Sequence, residues 1–203
     1  MMFRKILEEL KEHAPFTIFG ALTGIVIMFF FKRIPNQAAY NIFYTLHPMH
    51  VLLSAMVTAS MFKLNRTGGL RIWMLVVIGY VGSIGIATLS DSVIPYLGET
   101  MLGMPDRHIH LGFIEKWYLV NPLAFLGIAI AFFKPSTKFP HAGHVLLSTW
   151  ASLFHILMAK GGCLAWYFYP IIFIFLFVAV WLPCCLSDII FPLLFTKSKS
   201  KEN

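Results

Sequence analysis

Two strings in this chain carry residue types able to hold a metal ion or move a proton. They are His47-Pro48-Met49-His50-Val51-Leu52-Leu53-Ser54 and His141-Ala142-Gly143-His144-Val145-Leu146-Leu147-Ser148. The chain has only eight histidines in 203 residues, so two His-x-x-His-Val-Leu-Leu-Ser strings point to an internal duplication. A second pair of strings follows in the same order: Leu89-Ser90-Asp91 with Pro95, and Leu186-Ser187-Asp188 with Pro192. A weaker pair precedes them, Pro15 with Gly20 and Pro122 with Gly127.

Two imidazoles three residues apart share one face of a helix. With a carboxylate they suit a borderline divalent ion such as Zn²⁺, Fe²⁺, Mn²⁺ or Co²⁺. The expected metal ligands are therefore His47, His50 and Asp91 in the first copy, and His141, His144 and Asp188 in the second. The helical spacing extends each pair into a polar stripe, Ser54 and Thr58 in the first copy and Ser148 and Ser152 in the second, read as lining a polar pathway. Glu99, His108 and His110 lie between the copies and read as an outer vestibule that collects ions, or as a solvated loop. Other chemistries use the same residues. The histidines and aspartates could bond across helices to hold the copies together. They could relay protons. With Pro48 and Pro140 in a first helical turn, the histidines could also face an oxyanion, which the aspartates would repel. Cys184 and Cys185 adjoin Asp188 and read as buried small residues, or as soft ligands beside it.

The elements that position these residues follow from composition. The chain is 58% hydrophobic and 12% charged, with a mean hydropathy of +0.75. Apolar runs near the roughly 20 residues needed to cross a bilayer explain that balance. The runs cover about 14–31, 40–62, 72–97, 117–133, 140–159 and 164–195, the last long enough to divide at Pro183. Only helices satisfy every backbone group in such runs. The expected fold is thus an all-α polytopic membrane protein with six transmembrane helices. Residues 1–13 form an amphipathic segment, 14–97 the first repeat, 98–116 an external connection, 117–195 the second repeat, and 196–203 a polar tail.

Three spans per copy is an odd number, so the second copy enters the bilayer upside down and the repeats are inverted. Eleven of the sixteen Lys and Arg residues fall on the side holding both termini, which assigns those termini to the cytoplasm and the protein to the cytoplasmic membrane. The formal charge of +7 is distributed between the apolar runs, which argues for lipid and not nucleic acid as the partner.

The function this implies is a transporter of a divalent transition metal ion, working by alternating access between inverted repeats. A homo-oligomer is compatible with it. The first alternative is a membrane-embedded metal-dependent enzyme acting on a lipid-like substrate. A haem-binding electron carrier ranks lower: His141 and His155 lie fourteen apart on one helix, but the other helix has Met61 and Phe62 where the matching deep ligand would stand. No GxGxxG, P-loop or CxxC motif is present.

Overall fold

The computed structural model describes residues 2–66, 69, 71–136, 138–162, 165–185 and 190–196, with the side chains at 2–10, 12, 13, 138, 139, 141 and 185 excepted. Every regular element among the described residues is helical. They are α1 (Met2–Phe30), α2 (Asn36–Asn65), α3 (Ile72–Thr88), α4 (Ile94–Met101), α5 (Gly112–Glu115), α6 (Trp117–Phe133), α7 (Lys138–Ala159), α8 (Phe168–Cys185) and α9 (Phe191–Leu194). A π-helical turn, Leu89–Val93, joins α3 to α4 without a break.

Three helical stretches are long and apolar enough to cross a membrane: Asn36–Asn65, Ile72–Met101 and Ala142–Ala159. Ala14–Phe30, Trp117–Phe133 and Phe168–Cys184 are apolar but shorter. Many large apolar side chains face outward, including Phe19 and Phe30 on α1, Trp73 and Val77 on α3, Phe125 and Phe133 on α6, and Ile174 on α8. A soluble monomer rarely exposes so much contiguous apolar surface, so these faces suit lipid.

Helices α2 and α7 pack against each other at the centre. Around them, α2 contacts α3 and α6, while α7 contacts α1 and α8. The outer ring closes through α3 against α6 and α1 against α8. Glycines permit close approaches to both central helices. A Cβ on Gly127 of α6 would stand 2.4 Å from the Leu52 carbonyl oxygen and 2.9 Å from Ala55 Cβ of α2. A Cβ on Gly20 of α1 would stand 2.9 Å from Thr149 Oγ1 of α7. At the far end of each central helix, a lysine reaches a neighbour's carbonyl. Lys63 donates to the Phe132 oxygen, and Lys160 to the Lys32 oxygen.

Some boundaries differ from the sequence reading. The amphipathic segment is not separate: α1 runs unbroken from Met2 through Pro15 to Phe30. The third run does not stop at Leu97 but continues to Met101, which takes Glu99 out of the connecting loop and into the packed interior. The sixth run does not divide at Pro183, since α8 continues through that proline to Cys185; residues 186–189 lie outside the described set, and α9 follows them. Gly161, at φ +62, closes α7 in the left-handed region that glycine reaches at least cost.

Candidate metal centre

The π turn is what presents the aspartate. Closing i→i+5 bonds inserts an extra residue into the helix, a feature frequent at functional sites. Here Ser90, Asp91 and Ser92 are all buried in succession. Asp91 is fully buried and accepts four hydrogen bonds. His47 and His50 of α2 donate from Nδ1 to its Oδ2 at 2.9 and 2.7 Å. Ser90 and Ser148 donate from Oγ to its Oδ1, each at 2.7 Å. Ser152 of α7 donates to the Ser90 carbonyl at 3.0 Å. The carboxylate is therefore saturated by donors from α2, α7 and its own turn.

This fixes the imidazole tautomers. A carboxylate only accepts, so both Nδ1 atoms carry protons, and in the neutral imidazole each Nε2 holds a lone pair. His50 Nε2 and His47 Nε2 are buried and meet no hydrogen-bond partner among the described residues. The two point at different surroundings. His47 stacks on Phe43 with ring centroids 5.3 Å apart, and its Nε2 sits against Gly112, where a Cβ would stand 2.5 Å away. His50 stacks on His144 of α7, centroids 5.7 Å apart and planes within 10°. His144 is fully buried, and its Nδ1 faces the Pro140 carbonyl at 3.3 Å, which again puts the proton on Nδ1.

Cys184 of α8 completes the group. One ligand atom each from His50, His144 and Cys184 lies within 4.8 Å of the others, all three residues buried. Such a group could hold a metal ion: imidazole and thiolate suit zinc-like borderline ions, and an imidazole whose far nitrogen donates to a carboxylate or carbonyl is the usual form of a metal-bound histidine.

Of the residues expected as ligands, His50 and His144 come together across the central helix pair. His47 and Asp91 stand beside them as a hydrogen-bonded support and lie outside the three-residue group. The side chain of His141 and all of Asp188 lie outside the described residues. The stripes are buried as expected, but Ser148 and Ser152 bond to the π turn, and Thr58 packs against Gly82, whose Cβ would stand 2.8 Å from its Cγ2. Ser54 Oγ is buried and meets no hydrogen-bond partner among the described residues.

Cys184, expected as a buried small residue or a soft ligand beside Asp188, is buried and stands with His50 and His144. The sequence reading passed over the pairing of His155 with Glu99, Nδ1 to Oε1 at 2.7 Å, both buried. His155 continues the α7 stripe three residues after Ser152, which is the signal that could have found it. At the same end of the bundle, a cavity of about 310 Å³ is lined by Asn36, Gln37, Tyr40, Asp106, His108, His110 and Met158. His110 Nδ1 lies 3.1 Å from Glu115 Oε2, and Tyr44 donates its hydroxyl to the same oxygen. Burial pushes the Glu115 carboxyl upward, but the Tyr44 hydroxyl and His110 outweigh it and hold the group below its ordinary value.

No known protein family, curated protein or solved structure matches this chain.

Proposed function

We propose that the chain is an integral membrane transporter for a divalent transition metal ion, with His50, His144 and Cys184 as its central binding site. Six helices cross the cytoplasmic membrane as two inverted repeats, with both termini in the cytoplasm. The observation that carries this reading is the stacked pair His50–His144. Each is the second histidine of its duplicated string, and the two meet at the crossing of the equivalent helices α2 and α7. A site shared by equivalent positions of two halves suits alternating access, because rocking one half against the other opens it to either side.

The packing supports the inverted arrangement. Exchanging α1 with α6, α2 with α7 and α3 with α8 leaves the set of neighbours unchanged. Gly20 stands five after Pro15, and Gly127 five after Pro122. Their contacts match as well: Thr149 stands eight after His141, and Ala55 eight after His47. Ile190, ninety-seven places after Val93, is π-helical as Val93 is. Lys63 and Lys160, each at the end of its central helix, cap the exchanged neighbours α6 and α1 in the same way.

Chemically, the Asp91–His50 bond orients the ligand nitrogen and places negative charge behind the ring, and the thiolate selects zinc-like ions over Mg²⁺ or Ca²⁺. Burial excludes water and hard competitors. Reconstitution tests this directly. Liposomes carrying the wild type should take up Zn²⁺ or Co²⁺ saturably, with His50→Gln or His144→Gln reducing flux to the protein-free rate. Unchanged flux in both variants would refute the proposal, and lipid turnover by the purified protein would replace it with the enzyme reading.

A further inference from the structure

The pairing of His155 with Glu99 and the cavity beside it remain outside the central site. We infer that His110 and His155 form a second, outer binding site for a divalent transition metal ion, with nitrogen ligands only. Three observations place it. First, the rings of His110 and His155 meet edge to face with centroids 5.4 Å apart. Second, each has its Nδ1 tied to a carboxylate, His155 to Glu99 at 2.7 Å and His110 to Glu115 at 3.1 Å. In the neutral imidazoles that leaves both Nε2 atoms as lone-pair donors, the carboxylate–imidazole arrangement that orients metal-bound histidine. Third, His155 is 1% exposed and its Nε2 meets no hydrogen-bond partner among the described residues, an arrangement that costs free energy unless something binds there.

The site is reachable. His110 and the thioether residue Met158 both line the 310 Å³ cavity. An ion held by two imidazoles completes its shell with water from that cavity, so it binds more weakly and exchanges faster than at the thiolate site. The ring of Phe43 links His155 to His47, the support beside the central site. It is fully buried, stacks on His47 and meets His155 edge to face at 5.4 Å. The outer site therefore serves as the first stop of an ion whose second is His50–His144–Cys184. That sequence of events rests on the transporter reading, whereas binding at the outer site does not.

The test is Co²⁺ titration of tag-free protein in detergent, followed by visible absorption and calorimetry. Cobalt bound by Cys184 gives a thiolate charge-transfer band; cobalt at the outer site gives only ligand-field bands. The wild type should bind two equivalents, the second without a thiolate band. Cys184→Ser with His144→Gln should still bind the outer equivalent. Adding His110→Ala, a position with its side chain 18% exposed, should weaken that equivalent at least about tenfold while circular dichroism stays unchanged. His155→Asn should do the same, His110→Ala carrying the test if His155→Asn fails to fold. A single equivalent in the wild type that carries the thiolate band would overturn the inference. So would a second equivalent that survives His110→Ala, since that ion would be held elsewhere. Loss of the thiolate band alone would sink the central site and leave the outer one standing.

Discussion

Asp91→Asn is the sharpest single perturbation of the centre. The side chain keeps its shape, but a neutral amide replaces the carboxylate that accepts from His47, His50, Ser90 and Ser148. The amide oxygen can still face the two imidazoles, because the serine hydroxyls can rotate to accept from the amide nitrogen. Their tautomers survive, while the negative charge behind the His50 ring is lost. Removing such a supporting group costs about 10–100-fold in metal affinity, or about 1.4–2.7 kcal/mol. The four bonds also lose their charge assistance, at roughly 0.5–1 kcal/mol each, so stability should fall by about 2–4 kcal/mol. Co²⁺ titration with the thiolate band as signal, beside thermal unfolding in detergent, measures both. Affinity within threefold of the wild type would refute the support role. A loss beyond about 1,000-fold with the fold intact would mean that Asp91 binds the ion itself.

Other substitutions separate ligands from supports. Cys184→Ser should abolish the thiolate band and weaken Zn²⁺ or Co²⁺ binding at least about tenfold, because a hydroxyl is a poor ligand for such ions. His50→Gln should remove central-site binding, whereas His47→Gln should reduce it only about tenfold, since the Nε2 of His47 faces Gly112. Gly127→Ala forces a Cβ to 2.4 Å from the Leu52 carbonyl and should cost about 1–3 kcal/mol in thermal unfolding. Gly85→Ala meets nothing within 4 Å and should be neutral or stabilising by up to about 1 kcal/mol. Glu115 is held below its ordinary pKa, so its contribution to stability is present above that value and is lost as pH falls through the depressed one. Glu115→Gln should therefore flatten the acid limb of the stability–pH curve below about pH 4.5, read by unfolding across pH.

The helices and the buried face of each central helix were legible because apolar runs and three-to-four spacing are local signals. Every described member of the two stripes is buried, from His47 through Ser152. The π turn was not legible, since i→i+5 bonding leaves the apolar pattern of Leu89–Val93 unmarked. Nor was the supporting role of Asp91, which depends on that turn aiming it between α2 and α7. The meeting of His50 with His144 depends on where two helices cross, and sequence spacing carries no crossing point. Cys184 reads as a small apolar residue until α8 is seen against α7. Glu99 looked like loop because Gly98 precedes it; the helix continues through that glycine, whose Cβ position faces Phe175 of α8 at 2.9 Å.

The central claim is that one ion is gathered by side chains from both halves of the chain. X-ray absorption at the zinc edge of the loaded protein tests it most directly, in a preparation holding one equivalent. The account predicts imidazole nitrogens at about 2.0–2.1 Å and one sulfur at about 2.3 Å, the sulfur vanishing in Cys184→Ser. A first shell of nitrogen and oxygen alone, identical in the wild type and Cys184→Ser, would contradict it.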